Sequence, residues 1–280
     1  MTDAECTAFL QWALPRLKLH WPGFRKVRGQ VCKRLTRRMR DLGLDGLAAY
    51  RERLAADPAE WRVLDQCCHI TISRFFRNKG IFEALRTRVL PDIAACARRQ
   101  ARGAKVWSAG CAAGEEPYTI RILWDAEVAN AFPGISLSII ASDVDRAMLA
   151  RARTGCFEAS SLHELPQPLV EQGLERVGAL YCVKAKHREG IDFVAQDLRS
   201  QMPERLFDLI LCRYVAFTYF ALPLQRQVLA HMMERLRPSG FLVIGAHEEL
   251  PGGVPGLAPL TGQRRIFQKR AALQTVDLAG

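Results

Sequence analysis

Residues 106–118 constrain the fold of this chain most, because they combine a buried strand, a tight turn of small residues and the start of a helix. The block reads VWSAGCAAGEEPY. Gly110, Ala112 and Gly114 keep the turn free of bulky side chains, so that the backbone can approach a bound ligand closely. Glu115 adds a carboxylate at the helix start, which suits a positively charged ligand better than a phosphate. The alternative is an ordinary strand-to-helix turn of an α/β domain.

Three later apolar runs also end in polar residues: Asp143 follows 138–142, Asp197 follows 191–195 and Arg213 follows 207–212. Short apolar runs that alternate with helix-length segments predict a parallel sheet, whose ligands bind beyond the carboxyl ends of its strands. Asp143 is the candidate ligand for ribose hydroxyls. The turn after the first strand lacks the residues of a dinucleotide loop or a P-loop. These features favour a cationic nucleoside such as S-adenosylmethionine (SAM).

Length and composition exclude several classes of protein. The 280 residues can form one large α/β domain with a small companion, and 49% hydrophobic content is ample for packed cores. No apolar run is long enough to insert into a membrane, and the acidic amino terminus is unlike a secretory signal. Nine cysteines without a C-x-x-C pair predict reduced thiols in a cytoplasm, with neither a disulfide framework nor a metal site.

Positive charge is concentrated near the amino terminus. The net charge is +11, and residues 1–78 hold 15 Lys and Arg against 8 Asp and Glu. Residues 25–40 contain no acid, and an apolar residue recurs there at every fourth position from Val27 to Met39, which predicts a helix with one buried stripe and a basic outer face. That face is either simply solvated or a docking surface for a glutamate-rich helix or nucleic acid. The candidate docking residues are Arg28, Lys33, Arg34, Arg37 and Arg38.

The pattern divides the chain into four parts: an all-α domain (1–72), a linker with a helix around 82–97 (73–103), the α/β domain (104–270) and a poorly ordered tail (271–280).

Between about 155 and 190 the alternation of strands and helices breaks. A helix near 168–175 and an alternating strand at 179–186 predict an inserted antiparallel subdomain there. Further along, the sequence predicts a helix at 225–237, a turn at 238–240, a buried strand at 241–245, a loop at 251–259 and an edge strand at 265–268.

Five blocks occur together in one order over residues 10 to 250: SRFFR (73–77), the block at 107–118, ASDVD (141–145), Cys212-Arg213 and LRPSG (236–240). They resemble the CheR-type chemoreceptor methyltransferases, which use SAM to esterify glutamate side chains of bacterial receptor helices. The resemblance implies a class I SAM-dependent methyltransferase fold, which is α/β and Rossmann-like with a mostly parallel sheet. It also implies an N-terminal all-α domain that faces the receptor, and a small inserted antiparallel β-subdomain.

The resemblance implies SAM as cofactor and S-adenosylhomocysteine (SAH) as product, bound by Ser73, Arg77, Gly110, Ala112, Gly114, Glu115, Asp143, Asp197, Leu198 and Arg213. It implies a catalytic set of Arg77, Arg213 and Tyr219. It further implies a cytoplasmic, monomeric enzyme whose partners are methyl-accepting receptor-like helices, with no nucleic acid and no membrane insertion.

The chemistry expected of such a site needs no general base, because a glutamate with a pKa of about 4.3 is already ionised at neutral pH. The protein must instead strip water from the carboxylate and align it with the methyl group. Arg77 and Arg213 suit a carboxylate of either the cofactor or the acceptor, and Tyr219 suits the orientation of the acceptor. The structural alternatives are a surface role for Arg77 and a capping role for Asp197.

The departures from the family pattern lie mainly on the acceptor side. Tyr214 stands where most members have asparagine, one extra residue precedes Tyr219, Ser73 replaces the usual threonine, and residues 246–249 differ from the usual Ser-Glu-Asn ending. Residues 175–179 lack the glycine-rich loop with which some members bind a receptor tail, so tail binding is not expected. A diverged acceptor, nucleic-acid methylation and a non-catalytic SAM-binding module therefore stay open as alternatives.

Overall fold

The computed structural model describes residues 1–252 and 255–270, so the prediction for the tail and part of the predicted loop at 251–259 lie outside the described residues. Within these ranges, no helix is both long and apolar enough to cross a membrane. The α-helices are α1 (Asp3–Ala13), α2 (Trp21–Phe24), α3 (Arg28–Asp41), α4 (Leu47–Ala56), α5 (Glu60–Cys67), α6 (Lys79–Ala84), α7 (Leu90–Arg99), α8 (Glu115–Leu123), α9 (Arg146–Thr154), α10 (Gln167–Gly173), α11 (Ala216–Tyr219) and α12 (Leu222–Arg235).

The strands are β1 (Ala104–Ala109), β2 (Leu137–Asp143), β3 (Cys156–Glu158), β4 (Leu174–Val177), β5 (Leu180–Val183), β6 (Ile191–Ala195), β7 (Phe207–Cys212), β8 (Leu236–Ile244), β9 (Leu257–Leu260) and β10 (Gln263–Lys269). Seven of them form the main sheet in the order β6-β2-β1-β7-β8-β10-β9. The first five in that order run parallel, and β10 is antiparallel to both of its neighbours. The strand order reverses between β1 and β7, which is where open α/β sheets bind their ligands.

Different helices cover the two faces of the main sheet. Val106 and Leu209 pack into one core with residues of α6, α7 and α8, whereas Trp107 and Ile210 pack into a second core with the N-terminal helices and α12. Neighbouring residues of a strand point to opposite faces, so both faces are apolar and the strands read as continuous apolar runs. The N-terminal helices are therefore part of the cover of the sheet.

The predicted insertion is a three-stranded antiparallel sheet in the order β3-β5-β4. The predicted helix near 168–175 is correct in kind but extends too far, since α10 ends at Gly173. Leu174 and Glu175 belong to β4 because they pair with Val183 and Cys182 of β5. Cross-strand pairing therefore ends the helix two residues earlier than the sequence pattern indicates.

Two predictions near the carboxyl end were wrong in detail. Residues 238–240 lie inside β8, where Ser239 has a left-handed φ of 63° and the register with β7 shifts between Phe207 and Leu209. The predicted turn is thus a β-bulge. The segment 265–268 lies in β10, which is not an edge, because β9 pairs along its outer side. Pro259 lies in β9 and suits this edge position, since proline has no N–H to donate to a further strand.

The prediction of nine free thiols was wrong for four cysteines. Disulfides join Cys6 to Cys32 and Cys156 to Cys182. The free cysteines are Cys67, Cys68, Cys96, Cys111 and Cys212. The partners of each disulfide are 26 residues apart and are brought together by tertiary structure, the first pair where α1 meets α3 and the second where β3 pairs with β5. Such contacts cannot be derived from cysteine spacing.

Candidate functional site

The turn after β1 is held to the end of β2 by backbone hydrogen bonds. Gly110 N and Cys111 N both donate to Ser142 O, at 2.7 and 3.0 Å, and Ala112 N donates to Asp143 Oδ2 at 2.8 Å. The sequence predicted that small residues let backbone amides approach a ligand. The backbone N–H groups of residues 110–112 instead donate within the protein. They are therefore not free for a ligand, and the turn acts as a wall of the site.

Two glycines of the turn are required by the backbone. Gly110 and Gly114 have φ of 80° and 93°, values that disfavour residues with a Cβ. A Cβ on Gly110 would also lie 2.3 Å from Val215 Cγ2, in the loop after β7. Gly110 therefore allows the loop after β7 to pack directly on the turn after β1, which places both beside the same cavity.

Two adjoining cavities lie beyond the carboxyl ends of the strands. The larger cavity is lined by the end of β2, the segment after β6, the linker after α5 and the loop after β7, and Gly110, Asp143, Asp197, Leu198 and Tyr219 are the predicted site residues among its walls. The smaller cavity is lined by the predicted residues Ser73, Arg77, Gly110, Ala112, Asp143 and Arg213. Asp143 and Tyr214 line both. The predicted site residues Gly114 and Glu115 line neither cavity; Gly114 is the N-cap of α8 and Glu115 is its first residue.

Asp143 ends β2 at the junction of the two cavities. Its Oδ2 accepts from Ala112 N and its Oδ1 accepts from Asp145 N at 2.9 Å. Burial raises the pKa of Asp143, and these two hydrogen bonds offset part of the rise. The carboxylate is thus fixed in orientation where β2 meets the turn, the position at which a ribose is held in open α/β sheets.

Two buried oxygen atoms near the cavities have no hydrogen-bond partner: Oε2 of Glu115 and Oε1 of Gln196. Glu115 is only 3% exposed, and burial raises its pKa. Gln196 lines the larger cavity. Buried polar atoms normally have partners, so these acceptors suit a ligand that carries donor groups. SAM has an ammonium and an adenine amine, so the residues present fit it; Gln196 was not predicted, because sequence alone does not identify unpaired acceptors.

Arg213 is held on several sides. It is 7% exposed, and it donates to Glu116 Oε2 at 2.9 Å, to Asn78 Oδ1 at 2.8 Å and to Arg77 O at 2.6 Å. Its charge is therefore largely compensated inside the protein. Glu116 and Asn78 were not predicted, and they connect the loop after β7 to α8 and to the start of α6.

Arg77 has no comparable partner. Its Nη1 donates to Ile72 O at 2.6 Å, and its guanidinium lies 3.9 Å from the centre of the Tyr214 ring. Among the described residues, no carboxylate lies within salt-bridge distance of it. Burial is the main cause that lowers the pKa of Arg77. The smaller cavity thus contains one guanidinium whose charge the protein does not pair with an acid.

Tyr214 lies between the cavities in a left-handed backbone conformation, with φ of 58°. Its hydroxyl donates to Asn78 Oδ1 at 2.7 Å and accepts from Ala246 N at 3.1 Å. Its backbone N donates to Glu248 Oε2 at 2.9 Å. Asparagine tolerates this conformation better than tyrosine does, which explains why an asparagine is usual here. Glu248 also accepts from Gly245 N and from Thr218, so it holds the loop after β7.

Tyr219 ends α11 and lines the larger cavity, with its ring 4.9 Å from that of Phe24 in α2. Burial raises the pKa of Tyr219 to about 12, so its hydroxyl keeps its proton at neutral pH.

For Asp197 the sequence left two roles open, a contact with the cofactor and a cap of the following segment. The structure is compatible with both, because Asp197 lines the larger cavity and its Oδ1 accepts from Arg199 N at 2.9 Å.

The predicted helix at 25–40 is present as α3, which begins three residues later, at Arg28. Val31, Leu35 and Met39 of the predicted apolar stripe are buried, whereas Val27 is the half-buried N-cap. Three of the five candidate docking residues have partners within the chain, since Arg28 pairs with Asp3, Arg38 pairs with Glu60, and Arg34 donates to Cys67 O and His69 O. Lys33 and Arg37 are exposed on the outer face, and neither forms an ion pair with a described residue.

Comparison with known proteins decides the family. A family model described as "CheR methyltransferase, SAM binding domain" matches residues 71–266, and one described as "CheR methyltransferase, all-alpha domain" matches residues 26–64. The chain belongs to the CheR methyltransferase family. The resemblance inferred from the sequence and the predicted fold class are confirmed, and SAM is the cofactor that the α/β domain binds.

Several curated relatives are about one third identical. The chemotaxis protein methyltransferase of Salmonella typhimurium is 33% identical over 229 residues, 79% of this chain and 76% of that protein. That of Listeria monocytogenes is 34% identical over 181 residues, 65% of this chain and 66% of that protein. An uncharacterized 104.1 kDa protein of Rhodobacter capsulatus is 32% identical over 86% of this chain, which spans 25% of it. The N-methyltransferase NodS from Bradyrhizobium japonicum with bound SAH is 17% identical with a TM-score of 0.34, over 60% of this chain and 63% of that one.

Proposed function

We propose that this protein transfers the methyl group of SAM to glutamate side chains of chemoreceptor-like helical proteins, which forms methyl esters. The observation that carries the proposal is Arg77, a partly buried guanidinium without an acidic partner, at a cavity that adjoins the cofactor walls. A desolvated cation without a counter-ion is costly, and a carboxylate is the anion that a guanidinium binds with two parallel hydrogen bonds. An acceptor carboxylate would supply the missing charge.

Each residue then has a defined task. Bound SAM supplies an electrophilic methyl group. Glu115 offers its unpaired carboxylate oxygen to the cofactor ammonium, and Asp143 accepts from ribose hydroxyls. Arg77 holds the acceptor carboxylate, which is already ionised and needs no base. Tyr219 lines the adjoining larger cavity, and its protonated hydroxyl would donate to that carboxylate where the two cavities meet. Arg213 keeps the loop after β7 in place through Glu116 and Asn78.

Methyl transfer with labelled SAM tests the proposal. Purified protein is incubated with methyl-tritiated SAM and with cytoplasmic fragments of chemoreceptors, and the labelled product is treated with alkali. A glutamyl methyl ester releases its label as volatile methanol, whereas methylated nitrogen retains it. Base-labile label that requires Asp143 supports the proposal, and base-stable label contradicts it. Tight SAH binding without transfer to any receptor or proteome fraction would instead indicate a SAM-binding regulatory module.

We also propose that Lys33 and Arg37 attract the acidic face of the acceptor helix. Both are exposed on α3 and lack ion-pair partners among the described residues, so their field reaches solvent. The double variant Lys33→Glu/Arg37→Glu should raise KM for a receptor fragment by about tenfold at low salt and leave SAH affinity unchanged. The matched control is Arg98→Glu/Arg99→Glu on α7, which covers the opposite face of the sheet. Equal effects of the two double variants would contradict the docking role.

We place the enzyme in the cytoplasm, as a monomer, with methyl-accepting receptor helices as partners. In a cytoplasm, thiol reductants would act on both disulfides. Acid quenching of cells, followed by alkylation of thiols in denaturant and mass spectrometry, measures their state, since several of the cysteines are buried in the folded protein. Alkylation of all nine cysteines supports this localisation. Persistence of the Cys6–Cys32 and Cys156–Cys182 pairs in cells would contradict it.

A further inference from the structure

One arginine joins the N-terminal helices to the main sheet at the wall of the larger cavity. Arg199 donates through Nη1 and Nη2 to both oxygens of Asp65, at 2.8 and 2.6 Å. It also donates through Nε and Nη2 to the carboxylate of Asp197, at 2.9 and 2.8 Å. All three side chains are partly buried. A single guanidinium therefore bridges two carboxylates from different parts of the chain.

The bridge lies where two structural layers meet. Asp65 is in α5, and the chain after α5 continues along the cavity as His69, Ile70 and Thr71. Asp197 follows β6 and, with Leu198, forms the facing wall. Asp65, Asp197 and Arg199 also line an outer cleft on the other side of the bridge. The bridge is thus a partition between the larger cavity and the outer surface.

The two carboxylates can lie close together only because the positive charge of Arg199 is between them. Although burial acts to raise the pKa of Asp65, hydrogen bonds from His69 and Arg199 lower it to about 2, so the carboxylate is ionised. His69 Nε2 lies 3.4 Å from Asp65 Oδ2. Without Arg199, the carboxylates of Asp65 and Asp197 would face each other across the partition as like charges, and repulsion would separate α5 from the segment after β6.

We propose that Arg199 is a positioning residue for the cofactor: by tying Asp65 to Asp197 it closes the helical layer over the part of the larger cavity that receives the adenosine half of SAM. Arg199 acts through Asp197, whose orientation it fixes, and through α5, whose linker it holds against the cavity. The proposal rests on SAM as cofactor and is independent of the acceptor. Its failure is therefore distinguishable from failure of the proposed methyl transfer.

Binding of SAH by isothermal titration calorimetry tests this assignment without turnover. Arg199→Gln should raise the Kd of SAH about tenfold or more. Arg199→Lys should fall between wild type and Arg199→Gln, because an ammonium keeps the charge but cannot bridge both carboxylates with paired hydrogen bonds. Asp65→Asn should also weaken binding, and the double variant Asp65→Asn/Arg199→Gln should be no weaker than Arg199→Gln alone, because the two residues act as one unit.

A matched control separates positioning from stability. Arg102 forms a paired interaction with one carboxylate, with hydrogen bonds of 2.9 and 2.7 Å to Asp208, and it lines neither cavity. Arg102→Gln should lower the melting temperature but leave the Kd of SAH unchanged. If Arg199→Gln likewise lowers only the melting temperature, the residue is merely structural and the proposal is wrong. If Asp65→Asn leaves the Kd of SAH unchanged, the closure by α5 is wrong.

The final test asks which half of the ligand Arg199 affects, by comparing the Kd of SAH with that of a ligand that has only the adenosine half. The Kd of 5′-methylthioadenosine, which lacks the amino-acid part of SAH, should rise in Arg199→Gln by the same factor as that of SAH. A rise for SAH alone would place the effect at the amino-acid half and would overturn the assignment to adenosine.

Discussion

The two cavities differ in the polar groups that the protein leaves for a ligand. In the larger cavity, Asp65 and Asp197 are paired with Arg199, whereas the carboxylate of Asp143 has only backbone N–H partners and Oε1 of Gln196 has none. The smaller cavity contains the guanidinium of Arg77, which no acid among the described residues neutralises. A ligand with hydroxyls and amines suits the first, and a carboxylate suits the second. Under the proposed function, the larger cavity would hold the cofactor and the smaller cavity would bind the acceptor carboxylate.

The stronger test of this separation is Asp143→Ala. The carboxylate accepts two backbone N–H groups at the end of β2, so its removal leaves Ala112 N and Asp145 N unpaired as well as deleting the proposed ribose ligand. We expect the Kd of SAH to rise at least about 100-fold, which corresponds to about 2.7 kcal/mol. Calorimetry measures the Kd, and circular dichroism checks the fold. Asp192→Ala, an exposed carboxylate on β6, is the control and should bind SAH normally. Unchanged affinity in Asp143→Ala would remove Asp143 from the cofactor site.

Arg77→Lys tests the role of the smaller cavity in binding the acceptor carboxylate. Lysine keeps the charge but loses the planar pair of donors and the contact with the Tyr214 ring. We expect kcat with a receptor fragment to fall about 30-fold, or about 2 kcal/mol, while the Kd of SAH stays within about threefold. Steady-state kinetics and calorimetry give the two values. If Arg77 instead holds the carboxylate of the cofactor, the Kd of SAH rises while kcat at saturating SAM changes little, and the separation between the cavities fails.

The sequence predicted that residues near the carboxyl ends of the strands meet at one edge of the sheet, and the structure places several of them at one cavity. A strand end has a fixed place at the edge of a parallel sheet, so Asp143, Asp197 and Gly110 could be assigned to one edge from sequence order. The acceptor side depends on contacts across more than 130 residues, such as Arg213 to Asn78, which no local pattern encodes. For the same reason, the charge run on α3 did not indicate that Arg28, Arg34 and Arg38 would have partners inside the protein.

Tyr214 lines both cavities, so its variants test which of the two this side chain serves. Tyr214→Phe keeps the ring under Arg77 and loses only the hydroxyl contacts with Asn78 and Ala246. Tyr214→Asn also removes the ring but suits the left-handed backbone. We expect kcat/KM for the acceptor to fall about threefold in Tyr214→Phe and about tenfold in Tyr214→Asn, since a partly desolvated cation–π contact contributes about 1 kcal/mol.

The Kd of SAH should stay within about twofold in both Tyr214 variants if the ring serves the acceptor side alone. A higher kcat/KM in Tyr214→Asn would mean that the tyrosine restricts the acceptor. A weaker Kd of SAH in either variant would show that this residue belongs to the cofactor side.

The smallest expected effect concerns the pH dependence of cofactor binding. Burial raises the pKa of Glu115, and its Oε2 has no partner in the protein. In the proposed site the cofactor ammonium binds the ionised carboxylate, so binding of SAH would release a proton whenever the free protein carries one there. Affinity is therefore complete above the raised pKa and is lost as the pH falls through it. We therefore expect the Kd of SAH to rise as the pH is lowered from 7 through the raised pKa of Glu115.

Glu115→Gln keeps the shape of the side chain but cannot titrate, so its Kd should be higher at pH 7 and should change less between pH 7 and pH 5.5. Any change of Kd with pH that remains in Glu115→Gln is then attributed to Asp143, because burial raises the pKa of that carboxyl group as well. Calorimetry in two buffers of different ionisation enthalpy counts the protons released. An unchanged slope in Glu115→Gln would mean that the ammonium is held elsewhere, and the cofactor side would then owe its selectivity for a cation to Asp143 alone.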